Sequence, residues 1–117
     1  LQFALFREAL YLLEKGIASK EDIDAAVVYS FGRRLCITGP LASADMGGLD
    51  IYANISDYLF GSLSNATKSS PSLKRLVKNK HFGSKTGTGF YKWTRSFIQE
   101  MSTKRENELI TFLKEEP

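Results

Sequence analysis

The 117-residue chain is poor in several residues on which function often rests. It has one cysteine, one histidine, one tryptophan and three prolines. A lone Cys36 excludes an internal disulfide framework and any zinc site built on cysteines. No run approaches the ~18–20 apolar residues of a membrane span. The chain opens at Leu1 without the basic–apolar–small pattern of a signal peptide, so a cytoplasmic protein with no membrane partner is expected. Acids are absent from one long stretch. Between Asp57 and Glu100 there is none, while Lys68, Lys74, Arg75, Lys78, Lys80, Lys85, Lys92 and Arg95 lie within it. The remainder carries 8 bases and 13 acids. Such a split can mark an anion-binding surface, for nucleic acid or a phosphate-rich ligand. The commoner reading is a solvated face, and no nucleic-acid partner is expected.

What is present is apolar periodicity. With 43% hydrophobic and 25% charged residues the composition is globular, and the length fits one domain. A first helix is predicted from about residue 1 to 15. Leu1, Phe3, Leu5, Phe6, Ala9, Leu10, Leu12 and Leu13 cover an arc of about 200°, wider than a surface helix needs. That helix is central to its domain or buried against a second domain or subunit. Gly16 reads as its left-handed stop. Ser19-Lys20-Glu21-Asp22 is a capping-box variant opening a second helix. Ile23, Ala26, Val27 and Phe31 face inward there, and Gly32 ends it. Arg33 and Arg34 open a loop through Cys36 to Gly39-Pro40.

Pro40 suits the first position of a short third helix, broken by Gly47-Gly48. A fourth helix follows from about 49 to 63, with Tyr52, Ile55, Leu59 and Leu63 as its stripe. Pro71 opens a fifth, with Leu73, Leu76 and Val77 inward and Gly83 as its stop. Gly83 to Trp93 is glycine-rich, then aromatic. A last helix runs from Ser96 to about Lys114. The coarse reading is all-α, a single helical domain of five to six helices.

No complete catalytic set stands out. Lys85-Thr86 lacks the upstream glycine of a phosphate loop, and Gly87-Thr88-Gly89 lacks the third glycine and preceding strand of a dinucleotide fingerprint. His81 has no acid near it in sequence and reads as a cation at a helix C-terminus. Cys36 reads as a small core residue, although two arginines beside it allow a reactive thiol. Asp45 allows a pair with an arginine from another segment, and Asp50 reads as first-turn stabilisation. No cluster has metal-ligand spacing.

Taken in order, six segments resemble one family. They are Leu1-Gln-Phe-Ala-Leu-Phe-Arg-Glu-Ala9, Gly16-Ile-Ala-Ser-Lys-Glu-Asp-Ile-Asp24, Phe31-Gly-Arg-Arg34, Gly39-Pro-Leu41 with Ala44-Asp-Met-Gly-Gly-Leu-Asp50, Pro71-Ser-Leu-Lys-Arg-Leu-Val77, and Gly83-Ser-Lys-Thr-Gly-Thr-Gly-Phe-Tyr-Lys-Trp93. They resemble the C-terminal helical domain of the 3-hydroxyacyl-CoA dehydrogenases.

The resemblance implies a 6-phosphogluconate-dehydrogenase C-terminal-domain-like architecture. It implies an upstream Rossmann domain, absent from this chain, that binds NAD and carries a catalytic His–Glu pair. It further implies an acyl-CoA cleft between the domains, a homodimer, and a place in fatty-acid β-oxidation. No catalytic, cofactor-binding or metal residue of the family has a match here. The substrate-cleft candidates are Leu1 and Leu5 at the start of the first helix, and the Gly39-Pro40-Leu41 turn. The chain alone is expected to be inactive. A free-standing helical interaction module is the reading from another class, and a family member acting on another 3-hydroxy acid is a third.

Overall fold

The computed structural model describes residues 1–116. Its regular structure is helical; among the described residues the only sheet-like pairings are isolated bridges. Six helices have eight or more residues: α1 (Gln2–Glu14), α2 (Lys20–Val28), α4 (Pro40–Gly47), α5 (Leu49–Leu59), α6 (Pro71–Lys78) and α7 (Arg95–Glu115). A five-residue helix, α3 (Phe31–Leu35), lies between α2 and α4. Short 3-10 turns follow α5 at Phe60–Ser62 and precede α7 at Ser84–Thr86. The chain divides into two compact units, Leu1–Ser70 and Pro71–Pro117.

In the first unit, successive helices pack in chain order, α1 on α2, α2 on α3, α3 on α4 and α4 on α5. The α1 terminus is set by Gly16 at φ 67, as its sequence position predicts. The Gly16 N–H donates to the Leu13 carbonyl and the Ile17 N–H to that of Leu12, both at 3.1 Å, a Schellman arrangement that satisfies the last turn. At the start of α2 the Ser19 hydroxyl accepts from the Asp22 N–H at 3.1 Å, the cap its spacing predicts.

The sequence reading fails at α3. Residues 33–35 are helical rather than loop, and α2 stops at Val28 instead of running to Gly32. Gly32 is not a stop. A Cβ there would clash with the Val27 carbonyl oxygen, so glycine is what lets α3 begin this close to the end of α2. Pro40 does sit at the first turn of α4, and Gly48, at φ 99, separates α4 from α5. The predicted fourth helix to residue 63 is shorter, because its last turn tightens to a 3-10 turn after Leu59.

Two apolar residues, Leu10 of α1 and Ile23 of α2, form the buried centre of this unit, each 8% exposed. The stripe of α5 is not buried: Tyr52, Ile55, Leu59 and Leu63 are all exposed, and Tyr58 is 70% exposed. Periodicity identifies the apolar face correctly, but the described chain does not cover it.

In the second unit, α6 ends differently from prediction. Lys80, not Gly83, takes the left-handed conformation, at φ 59. The Lys80 N–H donates to the Val77 carbonyl at 3.0 Å and the His81 N–H to that of Leu76 at 2.8 Å. This is the same terminal motif as in α1, built on a lysine. Helix α7 starts at Arg95 under Thr94, whose hydroxyl accepts from the Phe97 N–H at 3.2 Å. The Trp93 and Phe97 rings lie 4.8 Å apart across this cap.

Candidate functional site

Both sets of cleft candidates lie in the first unit, on the open side of their helices. Leu1 is fully exposed and Leu5 44% exposed, with Phe3 between them meeting Phe6 edge to face at 6.4 Å. The start of α1 is therefore an apolar ridge open to solvent. Gly39 caps α4, followed by exposed Pro40 and by Leu41 at 83% exposure. With packing in the order α1, α2, α3, α4, two short helices intervene between the two candidate segments.

The Gly39–Leu41 turn is held by two residues that the sequence reading passed over. The Ser43 hydroxyl donates to the Thr38 carbonyl at 2.9 Å and lies 2.9 Å from the Thr38 hydroxyl. The Ser43 N–H donates to the Gly39 carbonyl at the same distance. Thr38 and Ser43 thus clamp the turn from both sides. A hydroxyl residue on each side of Gly-Pro, five apart, is the signal that marks them in the sequence.

The glycine-rich segment is folded on itself. The Gly83 N–H donates to the Thr88 carbonyl, Thr86 to Gly83, Gly87 to Ser84, and Gly89 to Tyr91, all at 2.9–3.2 Å. The Thr86 hydroxyl accepts from the Phe82 N–H at 2.9 Å and is directed between the carbonyls of Thr88 and Gly83, at 3.1 and 3.3 Å. A phosphate loop must aim such amides at a ligand. Here they are spent on the loop itself, and no strand precedes it among the described residues. These residues do not fit a nicotinamide dinucleotide.

The remaining candidates are ordinary. Cys36 is exposed rather than a core residue, because α3 presents it to solvent, and its thiol donates to the Gly32 carbonyl at 3.3 Å. Arg33 lies over the Tyr29 ring at 4.9 Å. Asp45 forms no ion pair among the described residues; Lys20 and Glu21 pair on the surface at 3.8 Å. His81 serves the α6 terminus through its backbone. Among the described residues, no three His, Cys, Asp or Glu side chains converge on a point that could hold a metal. No described helix is long and apolar enough to cross a membrane.

Comparison with known proteins identifies the family of this helical chain. Residues 1–93 match the family model for the 3-hydroxyacyl-CoA dehydrogenase C-terminal domain. The chain belongs to the 3-hydroxyacyl-CoA dehydrogenase family and corresponds to the C-terminal portion of its members. Hydroxyacyl-coenzyme A dehydrogenase, mitochondrial, of Homo sapiens is 42% identical over 88 residues, which is 74% of this chain and 27% of that protein. The 5-formyl-3-hydroxy-2-methylpyridine 4-carboxylate 5-dehydrogenase of Mesorhizobium japonicum is 34% identical over 108 residues, 92% of this chain and 35% of that protein.

A crystal structure of a 5-dehydrogenase of this pyridine carboxylate, described as an NAD+-dependent dismutase, superposes with a TM-score of 0.91 at 34% identity. It covers 94% of this chain and 36% of that one. The chain thus spans about a third of the length of these relatives. They are dehydrogenases, and two of them differ in the substrate that their names state.

Proposed function

We propose that this chain is the substrate-cleft and dimerisation domain of an NAD-dependent dehydrogenase that oxidises 3-hydroxyacyl-CoA to 3-oxoacyl-CoA. NAD and the catalytic His–Glu pair belong, in this reading, to a Rossmann domain outside these residues. The exposed ridge at Leu1 and Leu5 and the clamped Gly39-Pro40-Leu41 turn form one wall of the acyl-CoA cleft. A cytoplasmic role in fatty-acid β-oxidation belongs to the same reading, as does the inactivity of this chain alone.

The observation that carries the reading is uncovered surface. The chain exposes 9826 Å². Two separate compact units of these lengths would together expose only about 7,600 Å² by the usual scaling of surface with mass. Large apolar side chains are exposed on α5, at the start of α1 and along the second half of α7. Faces of this kind are interfaces. The α5 face is assigned to a second copy of the protein, and the start of α1 to the catalytic domain and substrate.

A second reading is supported by the reach of the Mesorhizobium match. Covering 92% of the chain, it must extend into α7, beyond the residues of the family model. The substrate would then be a ring-bearing hydroxy acid or aldehyde acid rather than a CoA ester. The full-length protein, assayed for NAD reduction with 3-hydroxybutyryl-CoA and with 5-formyl-3-hydroxy-2-methylpyridine-4-carboxylate, separates the two. Turnover of the CoA ester supports the first reading, and turnover of the pyridine alone supports the second. NADH oxidation with acetoacetyl-CoA by the 117-residue chain by itself would refute its inactivity.

A further inference from the structure

The second unit contains a cavity of about 450 Å³ between α6 and the Gly83–Trp93 loop. We infer that it binds a small amphipathic anion, an apolar body bearing a single carboxylate or sulfonate. The volume lies within the roughly 300–1,000 Å³ of small-molecule pockets, and so does the character of its walls, mostly apolar with a few polar groups. Leu73, Leu76 and Val77 form the helix side, and Phe90, Tyr91 and Trp93 the loop side.

The lining carries one charged side chain, the Lys85 ammonium. His81 and Lys85 line the cavity, and no acidic side chain does. None is near in sequence either, since the acid-free stretch brackets the whole site. Lys85 is also placed. Its Nζ sits 5.4 Å from the centre of the Phe82 ring, another wall residue, which holds the ammonium beside the apolar surface instead of letting it roam in water. A cation beside a low-dielectric wall with no carboxylate to neutralise it favours an anionic head group, and the walls favour an apolar body.

The loop is built to keep this shape before any ligand arrives. A Cβ on Gly89 would stand 2.7 Å from the Gly83 Cα, so the two ends of the loop touch backbone to backbone. The Thr86 hydroxyl pins its interior. All the lining residues come from positions 73–93, within the second unit.

The single tryptophan of the chain, Trp93, lines the cavity and reports on it. The 117-residue chain is titrated with octanoate, octanol and octylammonium, following Trp93 emission. Octanoate is expected to shift the emission saturably and to bind at least ~10-fold more tightly than octanol, with octylammonium weaker than both. Lys85→Gln is expected to bring octanoate down to the octanol level, Lys85→Arg to retain the preference, and Lys114→Gln to change nothing.

Equal binding of octanoate and octanol overturns the proposal, as does an unchanged octanoate affinity in Lys85→Gln. Absence of any saturable change with octanoate also overturns it. Should Lys85→Gln fail to fold by circular dichroism, the salt dependence decides. Octanoate affinity falling between 20 mM and 500 mM NaCl while octanol affinity holds supports the assignment, and parallel behaviour refutes it.

Discussion

The backbone N–H of Ser64 donates to Oε1 of Glu8 at 2.9 Å, joining α1 to a segment 56 residues further along the chain. Ser64 is one of the few buried residues, and its own hydroxyl accepts from the Ala66 N–H at 3.2 Å. Arg7, next to Glu8, donates to the Ala66 carbonyl at 3.3 Å. One turn of α1 thus ties down the chain leaving α5. Glu8→Ala leaves a buried amide without its carboxylate and is expected to destabilise by about 1–2 kcal/mol, while Glu8→Gln, which keeps an acceptor, costs less. Urea midpoints at unchanged m-value measure both, and an unmoved midpoint for the alanine variant would contradict this role.

The two matching helix ends give a prediction of opposite signs. Gly16 and Lys80 occupy the same left-handed position in the same terminal motif. Lys80→Gly removes the strain of a Cβ there and is expected to stabilise by about 0.5–1 kcal/mol. Gly16→Ala introduces that strain with no neighbouring atom within 4 Å of the new Cβ, and should cost about 1 kcal/mol. Thermal unfolding checks the pair. Equal signs for both would mean that backbone conformation is not what distinguishes them.

Gly32 is limited by space rather than by φ. Gly32→Ala forces a Cβ against the Val27 carbonyl and should loosen the α2–α3 junction, at a cost of about 1–3 kcal/mol. Gly61→Ala, with nothing near the new Cβ and an ordinary φ, is the control and should change little. Hydrogen exchange at the Tyr29 and Ser30 amides locates the first effect, since both donate back into the end of α2. Unchanged protection in Gly32→Ala would show that the junction yields without cost.

The proposed dimer predicts a mass change. Ile55→Asp places a charge in the middle of the exposed α5 face and is expected to convert a dimer to a monomer in sedimentation, with helix content unchanged. The unfolding temperature of the unaltered chain should rise with protein concentration, as that of a self-associating fold does. A concentration-independent monomer would remove the assignment of α5 to a second copy.

Local rules made much of the fold readable. Gly16, Ser19, Pro40 and Pro71 mark helix ends through contacts that reach only a few residues, and each end lies where its residue places it. Causes that lie in the meeting of elements, or in the tolerance of one residue for an unusual backbone, were not readable. Gly32 has the mark of a stop, but its reason is the approach of a second helix. Lys80 carries no mark of its left-handed backbone, since a lysine there is tolerated rather than selected by local sterics. The stripe of α5 gives its own direction but not the surface that covers it. At the candidate cleft the turn itself was legible in Gly39-Pro40, whereas its clamp needed the Thr38–Ser43 distance. The cavity was hidden for the same reason, because its basic and aromatic residues come together only when α6 and the loop are seen in space.

The chain-order packing of α1 through α5 bears on how the protein is made. Contacts between sequence neighbours form quickly, because little loop entropy is lost in closing them. Each of these helices has its neighbour already synthesised when it leaves the ribosome, so the first unit can assemble vectorially, one helix on the last. The Glu8–Ser64 bond, with Arg7–Ala66 beside it, is an exception. It waits for the final segment of the unit to emerge, and its closure marks the completion of that unit during translation.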